Sequence, residues 1–105
     1  MYILKVIAAA IVGLQSTGIM LQASGDREPY FLQRIDQYDI IHFPWNPSNC
    51  NNKSCGTSIG LYRHWLPASR IVHVFTPPSH LLGRGGALRI KKAGSYDLVP
   101  IVLYL

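Results

Sequence analysis

The apolar positions of the chain fall into short runs separated by glycine, proline and polar turn residues. Residues 11–14 form a β-branched apolar run, and YDIIHF at 38–43 has the composition of a strand. Further along the chain come TSIGLY, RIVHVFT, GALRIKK and DLVPIVLYL, separated by Pro67, by Pro77–Pro78 and by residues 93–95. Short strands joined by turns of this length predict an antiparallel meander.

The first ten residues have a different period. Apolar residues recur at helical spacing, at Ile3, Val6, Ile7 and Ala10. The alanines at 8–10 favour a helix, so residues 2–10 are predicted to form a short one. Residues 31–36 fit either a helical turn or a strand. The pattern as a whole predicts a mostly antiparallel sheet with a short N-terminal helix.

A chain of 105 residues provides one small domain. One short helix leaves a face of such an apolar sheet exposed, whereas domains bury such faces against a second layer. The last predicted strand runs to Leu105 without a turn or a cap. We therefore expect residues 1–105 to form a single partial domain, completed by a missing C-terminal half or by a self-association partner.

The charge balance is basic. Ten Lys and Arg against five Asp and Glu give a net charge of +5, which attracts nucleic acid or an anionic membrane surface without specifying a fold. The basic residues are scattered except for Arg84, Arg89, Lys91 and Lys92. This cluster is either a solvated strand face or a phosphate-facing patch, with Arg84 and Arg89 as candidate phosphate contacts. No apolar run reaches the about 18 residues of a membrane-spanning helix.

The N-terminus also permits a different interpretation. Residues 1–5 have the character of a signal-peptide n-region, Val6–Leu14 is apolar, and Leu21–Ala23 is an imperfect cleavage site. In a secreted chain, Cys50 and Cys55 would be free to pair. The alternative prediction is therefore a small secreted β-rich interaction protein with a cleaved N-terminal peptide.

The histidines and the glycine-rich segment give no catalytic or metal motif. No two of the four histidines have the i, i+4 spacing of a helical metal site, and no acidic residue adjoins His42, His64, His73 or His80. Two cysteines do not supply the about four ligands of a structural zinc site. GRGG at 83–86 precedes a predicted strand, so it is expected to be a turn and not a phosphate-binding loop before a helix.

Several segments resemble, in order, those of one enzyme superfamily. IVGLQST at 11–17 resembles the second strand of the endonuclease/exonuclease/phosphatase superfamily, whose pattern is Ile-Ile-x-Leu-Gln-Glu-Thr. NKSCGTSIGLY resembles the family's Gly-Val-Ala-Ile-Leu strand, and GRGGALRI with DLVPIVLYL resembles the strand pair that ends in Tyr-x-Pro. The resemblance covers residues 5–105 and the N-terminal half of a family domain. It is closest to the endonuclease domains of non-LTR retrotransposons.

The resemblance implies both a fold and a chemistry. The implied fold class is α/β, half of a four-layered α/β sandwich. Intact relatives hydrolyse phosphodiesters or phosphomonoesters with Mg²⁺, which is held in part by the glutamate of the second strand. Ser16 occupies that glutamate position, and a neutral hydroxyl does not replace a carboxylate as a Mg²⁺ ligand. We therefore expect the chain to hold no metal and no other cofactor as it stands.

Tyr104 matches the family's active-site tyrosine, whose hydroxyl donates to a phosphate oxygen; alternatively it is an aromatic residue on a strand. The family's base and transition-state stabiliser lie downstream of Leu105, and no residue before Ile11 offers the Asn that orients the phosphate in the family. These departures predict a truncated, inactive remnant of a Mg²⁺-dependent DNA endonuclease. DNA is its expected partner and the nucleus its expected location. A nucleic-acid binder without catalysis would need only the basic strand at 84–92.

Overall fold

The computed structural model describes residues 11–15, 29–45, 56–92, 94 and 96–103. This part of the chain forms seven strands: β1 Ile11–Gln15, β2 Phe31–Ile35, β3 Tyr38–Phe43, β4 Thr57–Tyr62, β5 Ile71–Phe75, β6 Gly85–Ile90 and β7 Ile101–Leu103. Two three-residue 3₁₀ turns, Ala68–Arg70 and Ser79–Leu81, lie in the connections. Within the described ranges, no helix has the length and hydropathy needed to cross a membrane.

The strands form two antiparallel sheets. The first has the order β1-β4-β3-β2 and the second the order β5-β6-β7. The hairpin between β2 and β3 turns at Asp36, whose φ of 52° lies in the left-handed region. Aspartate is one of the few non-glycine residues that adopt this conformation readily, which suits it to a tight hairpin.

The core lies between the two sheets. Side chains two positions apart share one face of a strand, so alternate residues of β3, β4 and β6 point into the same layer. The buried residues of this layer are Ile41, Phe43, Ile59, Leu61, Leu66, Leu88, Ile90 and Val102. Gly86 of β6 is required by this packing, because a Cβ there would overlap the ring of Phe43.

The outer faces of the two sheets differ. On the first sheet, Tyr38 and Ile40 are buried, so β3 is buried on both of its faces. On the second sheet, Phe75, Ile101 and Leu103 are exposed, Ile101 to 65%. The exposed apolar face expected from the sequence is therefore the outer face of the second sheet.

The α/β class, half of a four-layered α/β sandwich, is wrong. The structure is nearly all β, with 56% strand and no helix of seven or more residues in the described part. The ambiguous residues 31–36 contain strand β2, and the helix predicted at 2–10 lies outside the described residues. Apolar side chains at alternate positions of the strands in both sheets pack against each other. The core between the sheets is therefore formed without a helical layer. The predicted antiparallel meander is confirmed for β5, β6 and β7 and is wrong for β4, which pairs with β1 and β3 in the other sheet.

Candidate functional site

Strands from both sheets terminate at the same end of the sandwich, which we refer to as the Gln15 end. Gln15, the last residue of β1, pairs with Thr57, the first residue of β4. In the other sheet, Leu103 at the end of β7 pairs with Gly85 at the start of β6. These strand ends therefore lie at one edge of the domain.

A backbone hydrogen bond ties the two sheets together at this end. The N–H of Gly56 donates to the carbonyl oxygen of Gly83 at 3.0 Å. Gly83 has a φ of 87°, and a Cβ there would lie 2.5 Å from the Cα of Trp45, so only glycine fits. The segment at 83–86 is thus a turn followed by the start of β6, as its sequence predicted, and it places Arg84 at the Gln15 end.

Ser16 and Tyr104, the two residues that the family resemblance singled out, lie outside the described residues. The residues that precede them in the sequence, Gln15 and Leu103, both lie at the Gln15 end. Their strands belong to facing sheets in contact, since a Cβ on Gly13 of β1 would lie 3.7 Å from a methyl carbon of Val102 in β7.

The basic cluster of the sequence is spread out in the fold. Arg84 precedes β6 at the Gln15 end, whereas Lys91 and Lys92 follow β6 at the opposite end, about 20 Å away along a strand of this length. Arg89 lies within β6, between Arg84 and the two lysines. Its Nε donates to Oδ2 of Asp97 at 2.8 Å. The two candidate phosphate contacts, Arg84 and Arg89, are therefore not neighbours, and the charge of Arg89 is compensated.

A buried polar cluster, not expected from the sequence, joins three strands of the first sheet. His42 is 2% exposed; its Nδ1 lies 2.6 Å from Oγ of Ser58, and its Nε2 lies 2.7 Å from Oε1 of Gln33. With the Gln33 amide in this orientation its oxygen only accepts, so Nε2 carries the proton and Nδ1 accepts from the serine hydroxyl. Burial lowers the pKa of His42 below its ordinary value, which favours the same neutral state.

A serine that donates to a histidine is also the arrangement of an activated nucleophile. Here Ser58 is fully buried, and the ring of Phe31 lies against His42 with 4.9 Å between ring centroids. A substrate would have no route to the hydroxyl. The cluster therefore acts structurally, by holding β2, β3 and β4 in register.

The buried carboxylate of Asp39 is occupied by cations of the chain itself. Its Oδ2 accepts from the N–H of Ala68 at 3.0 Å, and its Oδ1 lies 3.3 Å from Nε of Arg34 and 3.7 Å from Arg63. The Oδ1 contacts are ion pairs without hydrogen-bond geometry. Among the described residues, no group of three His, Cys, Asp or Glu side chains is placed to hold a metal ion.

No family model, no curated protein and no solved structure matches this chain. The resemblance to the endonuclease/exonuclease/phosphatase superfamily therefore stays a prediction. The same holds for secretion, since residues 1–10, Leu21–Ala23, Cys50 and Cys55 lie outside the described residues.

Proposed function

We propose that this chain is a nuclease-like domain that binds DNA at the Gln15 end without hydrolysing it. The observation that supports this proposal is the convergence of strand ends there. Gln15 and Leu103, which directly precede Ser16 and Tyr104 in the sequence, end strands of two facing sheets at one edge. The exposed Arg84, which precedes β6, lies at the same edge.

The Gln15 end also has the local chemistry that a phosphate requires. Arg84 is exposed in the glycine-rich turn, and a guanidinium carries donors in a planar fork that suits phosphate oxygens. A hydroxyl at position 104 would add a neutral donor. These groups bind a phosphodiester, but none of them activates water.

The lack of hydrolysis is inferred from position 16. Mg²⁺ binds anionic oxygen ligands and, once bound, polarises the phosphate and lowers the pKa of its water. Where the family pattern has glutamate, this chain has Ser16, whose hydroxyl brings no charge. The proposed domain therefore retains affinity for the phosphodiester and lacks the group that would hold the metal.

The basic charge of the described residues supports DNA as the partner, and its distribution limits how tightly the chain should bind DNA. The described residues include seven Lys and Arg but only three Asp and no Glu. Arg34 and Arg63 contact Asp39, and Arg89 pairs with Asp97, so the charge of these three cations is compensated within the chain. Of the described cations only Arg84 lies at the Gln15 end, and each phosphate contact contributes about −0.9 to the slope of the logarithm of the binding constant against the logarithm of salt concentration, so a shallow negative slope is expected.

Two assays test the proposal. With supercoiled plasmid and Mg²⁺, the wild-type chain should nick no faster than a Ser16→Ala control; metal-dependent nicking above that control would refute the lack of hydrolysis. In fluorescence anisotropy with duplex DNA, Arg84→Gln should weaken binding several-fold. Arg70→Gln removes the same charge beside Ile71, at the opposite end, and should change binding less. Equal losses, or binding insensitive to salt, would refute a site at the Gln15 end.

A further inference from the structure

A hollow of about 490 Å³ lies at the end of the sandwich opposite to the Gln15 end, and we refer to it as the Trp65 hollow. Its volume lies within the range of about 300–1,000 Å³ that is typical of small-molecule sites. It is lined by Ile11, His64, Trp65, Leu66, Lys92 and Leu98. These residues come from the start of β1, the connection between β4 and β5, and the segment after β6.

The indole of Trp65 is 65% exposed, yet it is held in place. The N–H groups of Trp65 and Leu66 both donate to the carbonyl oxygen of Tyr62, at 3.0 and 2.9 Å. Leu66 is buried in the core, and the ring of Tyr62 meets the indole edge-on with 5.2 Å between ring centroids. The exposed aromatic surface is thus fixed by its own turn before any ligand arrives, which reduces the entropy cost of binding.

The lining of the hollow specifies the chemistry of a ligand. Ile11, Leu66 and Leu98 provide apolar surface beside the indole, which favours a flat apolar ring. Lys92 adds an ammonium group and His64 an imidazole at the same hollow. A planar ring that carries a negative charge satisfies the indole of Trp65 and the ammonium of Lys92 together.

We propose that the Trp65 hollow binds a nucleotide, with the base stacked on Trp65 and the phosphate directed towards Lys92. Base-on-aromatic stacking tolerates any base, so the site would not discriminate sequence. The nucleotide is either free or part of a single strand, because both present the same base and phosphate. The proposal goes beyond the DNA site at the Gln15 end, shares no residue with it and does not depend on it.

Calorimetric titration tests the proposal with two anionic probes, adenosine monophosphate and a thymidine hexanucleotide, and with uncharged adenosine for comparison. Trp65→Ala should weaken the binding of both by about 5- to 150-fold, the range found when a stacking aromatic is removed. Lys92→Gln should weaken adenosine monophosphate binding and leave the binding of uncharged adenosine unchanged. If the hexanucleotide binds at least tenfold more tightly than the mononucleotide, the occupant is a single strand; if not, it is a free nucleotide.

The chain offers a matched control for each variant. Tyr96 is 89% exposed and Lys91 is exposed next to Lys92, but neither lines the hollow. Tyr96→Ala and Lys91→Gln should therefore keep wild-type affinity. Absence of binding by both probes at millimolar concentration would refute the proposal, and so would equal losses in Trp65→Ala and Tyr96→Ala. If Trp65→Ala does not fold, Lys92→Gln and Lys91→Gln still test the proposal, because both keep the indole. Only Lys92→Gln should then weaken the binding of adenosine monophosphate.

Discussion

His42 and Ser58 face each other across β3 and β4, with 2.6 Å between Nδ1 and Oγ, although 16 residues separate them in the sequence. The pair is buried, and the second ring nitrogen of His42 is engaged by Gln33. Every hydrogen-bonding atom of the imidazole is thus used in its neutral form. The first sheet therefore has a buried polar connection across three strands.

The stability of the fold should depend on this protonation state. Burial lowers the pKa of His42 below its ordinary value of 6.5, so the unfolded chain binds a proton more readily than the folded chain. The contribution is therefore fully present above pH 6.5 and is lost as the pH falls from there towards the lowered pKa. Urea denaturation of the wild type should show a smaller free energy of unfolding at pH 5 than at pH 7.

Two histidine variants check the origin of that pH dependence. His42→Gln should lose this part of the difference between pH 5 and pH 7, because a glutamine does not titrate. His73→Gln, at an exposed histidine, should retain it. An unchanged pH dependence in His42→Gln would show that another group is responsible.

Removal of the serine hydroxyl should be costly. Ser58→Ala leaves the buried Nδ1 of His42 without its donor, and an unsatisfied buried polar atom costs about 1–3 kcal/mol. Ser69 is an exposed serine, so Ser69→Ala serves as the control and should leave the free energy of unfolding nearly unchanged. Equal effects of the two substitutions would contradict the structural role given to the His42–Ser58 contact.

Gly86 should tolerate no side chain. Gly86→Ala drives a methyl group into the ring of Phe43, and overpacking of this kind costs about 1–3 kcal/mol. Combining it with Phe43→Leu should cost less than the sum of the two single substitutions, because the smaller side chain relieves the overlap. Gly13→Ala, where the nearest atom is Val102 Cγ2 at 3.7 Å, should be far milder in the same denaturation experiment.

The two roles of Asp39 can be separated by substitution. Asp39→Asn removes the charge but keeps an acceptor for the N–H of Ala68, and Arg34 can hydrate because its side chain is largely exposed. Asp39→Leu also removes the acceptor and should cost about 1–3 kcal/mol more. A leucine variant as stable as the asparagine variant would mean that the contact with Ala68 contributes nothing. Thermal unfolding of the two variants measures the difference.

The strands were largely predictable because their signal is local. Runs such as 38–43 and 57–62 are rich in β-branched and aromatic residues and match β3 and β4 in the structure. The fold class was not predictable in this way. The α/β assignment depended on the helix expected at residues 2–10 and on the resemblance to the endonuclease/exonuclease/phosphatase superfamily. The same local signals do not state how many sheets the strands form or which faces they share.

Some features of the candidate sites were likewise predictable from the local sequence, whereas others depend on the fold. The turn at 83–86 was predictable because glycine chemistry acts over a few residues. The separation of Arg84 from Lys92 follows from the extension of β6, whose two ends are at opposite ends of the sandwich. The contact of His42 with Ser58 needs the register of β3 against β4. The Trp65 hollow needs residues from three distant segments, so no spacing within the sequence indicates it.

The unequal burial of the two sheets has a consequence for how the domain opens. Strand β3 is buried on both faces and paired on both edges, whereas β7 has three residues, two of them exposed. Amide protons in the centre of the first sheet should exchange only through global unfolding, while those of β7 should exchange through local separation from β6. Hydrogen exchange would then distinguish the slowly exchanging β3 from the faster β7.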